Sequence, residues 1–98
     1  MIYDLIIKEE ASLEIVAAYL YYESKSVGLG DKFEIQLEIN LHRICQYPLH
    51  YEIKRKPYRE AFIKKFPFII IFEILENKIV VYSVFNTNRS PSKKPIQK

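Results

Sequence analysis

One cysteine, two histidines and two glycines leave this 98-residue chain short of the residues for several kinds of chemistry. A lone Cys45 cannot close an intramolecular disulfide. Cys45, His42 and His50 show no metal-ligand spacing, so no metal site and no cofactor is expected. A long apolar run is also missing. The run at residues 66–72 has seven members, counting Pro67 inside it, and ends at Glu73. A membrane-spanning helix needs about 20 apolar residues, so no membrane segment is expected. Met1 runs straight into a strand-like stretch rather than a signal peptide, which points to the cytoplasm. Net charge is +3, too little to mark a nucleic-acid binder by itself.

What is present is apolar content of 49%, enough for the core of one compact domain. Residues 2–7, "IYDLII", read as a short strand. Residues 9 to about 24 read as a helix, with Leu13, Val16, Ala17 and Leu20 on one apolar face and Glu9, Glu10 and Glu14 near its positive end. Gly28 and Gly30 then mark a tight connection. A second helix follows, capped by Asp31 with Glu34, striped by Phe33, Leu37, Leu41 and Ile44, and ended by Pro48. The two helices should form an antiparallel hairpin.

Four β segments complete the reading: residues 50–56, residues 58–65, Phe68–Leu75 and residues 79–85, with a turn at Glu76, Asn77 and Lys78. The segment Phe68–Leu75 is apolar on both faces, as a central strand is. The expected order is β-α-α-β-β-β-β, an α+β fold with a helical hairpin on one face of a mostly antiparallel sheet. One domain should span residues 1–91, with a basic tail at 92–98 that frays.

Several stretches together resemble the RelE/ParE superfamily of bacterial toxins. They are "EEASLEIVAAYLYYE", "GLGDKFEIQLEINLHRI", "YREAFIKKFPFIIIFEI" and "IVVYSVFNTNRSP". The resemblance covers residues 2–91 and implies the toxin half of a type II toxin–antitoxin pair, with a cognate antitoxin as partner. Phe68, Ile70 and Phe72 are the expected antitoxin contacts, on a sheet face the helices leave open. An apolar, acidic antitoxin segment would cover the hairpin or that face, and its charge would speed association with a basic rim.

The superfamily holds two activities. RelE-like members cut messenger RNA on the ribosome; ParE-like members poison DNA gyrase by binding it. Cleavage needs a base, an acid and cations for the phosphorane charge. Nuclease members place an arginine where this chain has Ile69, and often a histidine where it has Asn86. The resemblance therefore favours a ParE-like toxin that acts by binding. The alternatives are a ribosome-dependent endoribonuclease using Arg59, Lys65 and Arg89, and a homologue that only binds antitoxin. Target or phosphate contacts are expected at Lys54, Arg55, Lys56, Arg59, Lys64, Asn86 and Arg89, gathered along one edge and end of the sheet. The same cations also read as a solvated rim. Tyr58 and Tyr82 are candidates for base stacking, although a chain with eight tyrosines uses most of them in core or rim roles. His42 and His50 read as surface side chains.

Overall fold

The computed structural model describes residues 3–88. Its elements are β1 (Asp4–Ile7), α1 (Glu9–Lys25), α2 (Leu29–Gln46), a 3-10 turn at Pro48–His50, β2 (Ile53–Arg55), β3 (Tyr58–Phe62), β4 (Phe68–Leu75) and β5 (Lys78–Asn86). The strands form one sheet in the order β1-β5-β4-β3-β2. β1 runs parallel to β5, and the remaining three pairings are antiparallel. The fold is the expected α+β arrangement, with both helices on one sheet face. The expected tail at 92–98, with Lys93 and Lys94, and Arg89 lie outside the described residues.

Alternation along each strand decides which side chains meet the helices. On β4, Phe68, Ile70 and Phe72 share a core with Phe33, Leu37 and Ile44 of α2 and with Val81 and Val84 of β5. These three are 6%, 0% and 0% exposed, so they lie beneath the helices and not on an open face. That corrects their expected placement as partner contacts. The opposite face of β4 carries Ile69 and Ile71, which cluster with Phe85 and Tyr58. An eight-residue strand apolar on both faces is what a central strand requires.

The strand boundaries follow local geometry. β3 stops at Phe62 rather than Lys65, because Lys65 has a φ of 75° and turns the chain back toward β4. β2 is only three residues long, since the 3-10 turn at Pro48–His50 takes up part of that segment. Between Ile71 and Phe72 the β4–β5 register shifts, and the ladder resumes with Ser83 opposite Ile71 and Val81 opposite Phe72.

The helical hairpin is joined in an unexpected way. Neither Asp31 nor any other side chain of α2 caps its start. Instead the Gly28 and Gly30 amides both donate to the Glu23 carboxylate of α1, at 2.9 Å each. Asp31 accepts from the Tyr19 hydroxyl at 2.9 Å. Thus α1 supplies the carboxylate that the free amides at the start of α2 need. Gly28, with a φ of 89°, turns the chain between the helices.

α1 is also rotated relative to its apolar pattern. Its buried residues are Ala11 and Ala18, with Ile15 and Tyr22 partly buried against the core. Leu13, Val16 and Leu20 are 63%, 55% and 60% exposed. The expected core-facing stripe therefore points to solvent. The reason is polar. Glu14 reaches inward, where its Oε1 accepts from the Ser83 hydroxyl and the Val84 amide of β5, at 2.8 Å each. Turning the leucines inward would turn Glu14 away from both donors, and a buried donor without a partner costs about 1–3 kcal/mol.

Candidate functional site

The basic residues do not converge. Lys54 and Arg55 belong to β2, Lys56 follows it, and Lys64 and Lys65 lie in the β3–β4 turn. β3 runs between these groups and spans about 13 Å over its five residues. Among the described residues, the cations expected along one edge and end of the sheet divide into two basic ends. Lys54 is tied to Glu52 of its own segment at 2.9 Å, with both side chains well exposed. Lys64 and Lys65 are exposed.

Arg59 sits apart from all of them. Its cross-strand partner is Phe72, so it shares the helix-facing side of the sheet. There its Nη1 donates to the Tyr51 carbonyl at 2.7 Å. Tyr51 is packed against the core and makes an edge contact with Phe72. Arg59 thereby fastens the segment before β2 to the sheet.

Asn86 pairs with Phe68 and also faces the helix side. It lines an open cleft of about 690 Å³ between α1 and the end of β5, together with Glu10, Glu14, Tyr21, Phe68 and Asn88. Its side-chain oxygen accepts from the Asn88 amide at 2.8 Å. The cleft carries carboxylates and carboxamides over an apolar floor. Two strands, β4 and β3, separate Asn86 from the cations of β2.

The other face of the sheet carries the aromatic pair that sequence reasoning singled out. Tyr58 and Tyr82 meet edge to face at 5.5 Å between ring centres. The Tyr82 hydroxyl donates to Glu73 at 2.7 Å. That bond, then burial and the negative charge of Glu73, push the Tyr82 phenol up to about 12. Beneath the pair lie Ile69 and Ile71, 4% and 1% exposed. From Ile69 to Glu73 on β4 and from Val80 to Phe85 on β5, this face is apolar, aromatic and acidic. Nothing in the sequence pattern joined Glu73 to Tyr82; the β4–β5 register brings them together.

Cys45 is buried at the end of α2, and burial first, then the charge of Asp4, raises its thiol above the usual range. It is a packing residue, not a nucleophile. Among the described residues no group of three or more histidine, cysteine or acidic side chains is placed to hold a metal ion. No helix among them is long and apolar enough to cross a membrane.

A further surface went unanticipated. The outer face of the hairpin exposes Leu13, Val16 and Leu20 of α1, and Ile35 and Ile39 of α2 at 54% and 44%. Charge divides the molecule in a matching way. Residues 9–46, the hairpin, hold seven acids against three cations; residues 53–86 hold seven cations against three acids.

No family model matches the chain, and no curated protein matches it. Among solved structures, the architecture defines a class of small α+β domains with a helical hairpin on a five-stranded sheet. A chain of a structure titled "Chromosomal ParDE TA system from P. aeruginosa" shares it with a TM-score of 0.74. The sequences are 14% identical, and the match covers 87% of this chain and 96% of the other. The fold implied by the RelE/ParE resemblance is the fold observed.

Proposed function

We propose that this protein is the toxin of a toxin–antitoxin pair, that it acts by binding DNA gyrase, and that it does not cleave RNA. The fold match to a chain of a ParDE system supports the toxin–antitoxin class. The observation that carries the choice of mechanism is the middle of the sheet face away from the helices. A cleaving site needs cations around the scissile phosphate and a group that exchanges protons near neutral pH. Here Ile69 is apolar and 4% exposed, Glu73 is an acid, and Tyr82 holds its proton up to about pH 12. An acidic, apolar face repels a phosphodiester, and its one carboxylate, Glu73, already accepts a hydrogen bond from the Tyr82 hydroxyl at 2.7 Å. Arg59, a candidate phosphate ligand, commits its Nη1 to the Tyr51 carbonyl on the helix-facing side of the sheet.

Lys54, Arg55 and Lys56 then form the candidate target-binding end, with Lys64 and Lys65 a second one. Phosphate-directed or acid-directed contacts at these sites would act through charge and weaken with salt. A cognate antitoxin would neutralise the protein by covering part of its surface.

Pulse labelling after induction of the protein alone tests the mechanism. Thymidine incorporation should fall first while methionine incorporation continues. An early fall in methionine would overturn the reading in favour of ribosome-dependent cleavage, and unchanged labelling in all channels would leave a chain that only binds its antitoxin. Purified protein added to a gyrase supercoiling reaction should stop supercoiling in the same concentration range that binds the enzyme.

A further inference from the structure

Leu13, Val16 and Leu20 are spaced by three and four residues and form one stripe along the outside of α1. Each is more than half exposed, and Tyr21 beside them is 56% exposed. The stripe cannot rotate inward. Glu14 on the opposite side of α1 is held by Ser83 and Val84, and Glu23 is held by Gly28 and Gly30. The helix is therefore fixed from within by carboxylates and presents its leucines outward. Apolar positions repeating at three and four residues are the spacing one helix uses to pack against another.

The border of the stripe is acidic. Glu9 and Glu10 lie at the start of α1, and Asp31, Glu34 and Glu38 are exposed on α2. Facing two such surfaces toward each other would place carboxylates against carboxylates, which argues against a second copy of this chain. An acidic segment meets the same repulsion. That argues against the hairpin as the seat of the acidic antitoxin segment expected from the sequence.

We propose that the outer face of α1 docks an amphipathic helix of a partner protein, with apolar residues covering Leu13, Val16 and Leu20 and lysines or arginines flanking them against Glu9, Glu10, Glu34 and Glu38. The mode is a helix laid on an apolar stripe, with specificity from the charged borders. It deepens the toxin reading, since the antitoxin is the partner that reading supplies. Docking and growth inhibition are measured separately, so either can fail while the other stands.

The test uses the full chain and two synthetic probes. Both are model peptides of about 18 residues, five helical turns, with the same leucine stripe. One carries lysine at the flanking positions and the other glutamate. Fluorescence anisotropy should show the lysine peptide binding at least roughly tenfold more tightly than the glutamate peptide, and the preference should shrink in 0.5 M salt, where the screening length is only a few ångströms. The double variant Leu13→Ser/Leu20→Ser should lose roughly tenfold or more in affinity for the lysine peptide, with circular dichroism and denaturation midpoint unchanged. A second variant, Glu34→Lys/Glu38→Lys, keeps the apolar stripe and should narrow or reverse the preference. Equal affinity for both peptides would overturn the charge argument, and full affinity in the serine variant would overturn the site. Sedimentation of the protein alone should show a monomer. A dimer lost in the serine variant would mean that a second copy occupies the stripe, and the proposal would be wrong.

Discussion

The Glu14 carboxylate oxygen accepts two hydrogen bonds from β5, one from the Ser83 hydroxyl and one from the Val84 amide, both at 2.8 Å. Ser83 is wholly buried. One acidic side chain on α1 thus satisfies two groups of the sheet that no strand reaches, because β1 ends beside Val81. Replacing Glu14 with alanine should strand both donors and destabilise the fold by about 2–4 kcal/mol, at the upper end for charged partners. Urea denaturation of Glu14→Ala beside Glu10→Ala measures it. Glu10 has no such partner and its change should stay within about 0.5 kcal/mol.

The two glycines should respond differently to alanine. A Cβ at Gly30 would lie 2.7 Å from the Tyr19 carbonyl oxygen and 2.8 Å from Glu23 Oε1. The first of these is backbone, so the helices must separate, and a loss of about 1–3 kcal/mol is expected. At Gly28 nothing lies within 4 Å, but the φ of 89° is strained for any side chain, at roughly 1–2 kcal/mol. Comparing hydrogen exchange in the hairpin separates the cases: Gly30→Ala should loosen both helices, whereas Gly28→Ala should act chiefly at the connection.

Tyr82 should titrate last among the tyrosines. Its phenol stands near 12 in the fold, against an ordinary value of 10.0. A group whose folded pKa is raised contributes stability that is present below the unfolded value and is lost as pH climbs through the folded one. Stability should therefore decline between about pH 10 and 12, and Tyr82→Phe should flatten that decline. Absorbance near 295 nm, as wild type minus Tyr82→Phe, should rise with a midpoint near 12. A midpoint near 10 would show that the hydrogen bond to Glu73 does not form in solution.

Substitutions on β4 should read as stability effects. Phe72→Ala empties a fully buried site and should cost about 3–5 kcal/mol, whereas Leu20→Ala on the outer face of α1 should cost under about 0.5 kcal/mol. Phe68→Asp and Phe72→Asp should fail to fold. Thermal melts of the set check the burial pattern directly.

Arg59→Ala should likewise lower stability, by about 1.5–3 kcal/mol, since it removes a charged donor from the Tyr51 carbonyl. Lys64→Ala and Lys65→Ala should leave stability nearly unchanged. If Arg59→Ala melts like wild type, the side chain is free for a ligand, and its role as a tie is refuted.

The sheet was legible because its signals are local. The run from Phe68 to Leu75 has too many β-branched and aromatic residues for anything but a strand buried on both faces. The hairpin of helices followed from two apolar stripes and a pair of glycines. The orientation of α1 was not legible. Ala11, Ile15, Ala18 and Tyr22 repeat at spacings of four, three and four, as good a helical stripe as Leu13, Val16 and Leu20 but less hydrophobic. Spacing marks a face and does not say what covers it. The choice was made by Glu14, whose partners lie in a strand far along the chain. The candidate cations escaped prediction for a related reason. Sequence proximity groups Lys54 through Lys65, but one strand between them carries the last two to the other end of the sheet.

The pairing of β1 with β5 has a consequence for how the molecule is made. Asp4 lies beside Lys78, and Ile7 beside Val81, so the first strand finds its place only against the last. A chain emerging from the ribosome carries β1 unpaired until β5 has been synthesised. Contacts this distant close slowly, because the entropy of the intervening loop is lost before they form. The sheet is therefore completed late, only after β5 has been translated.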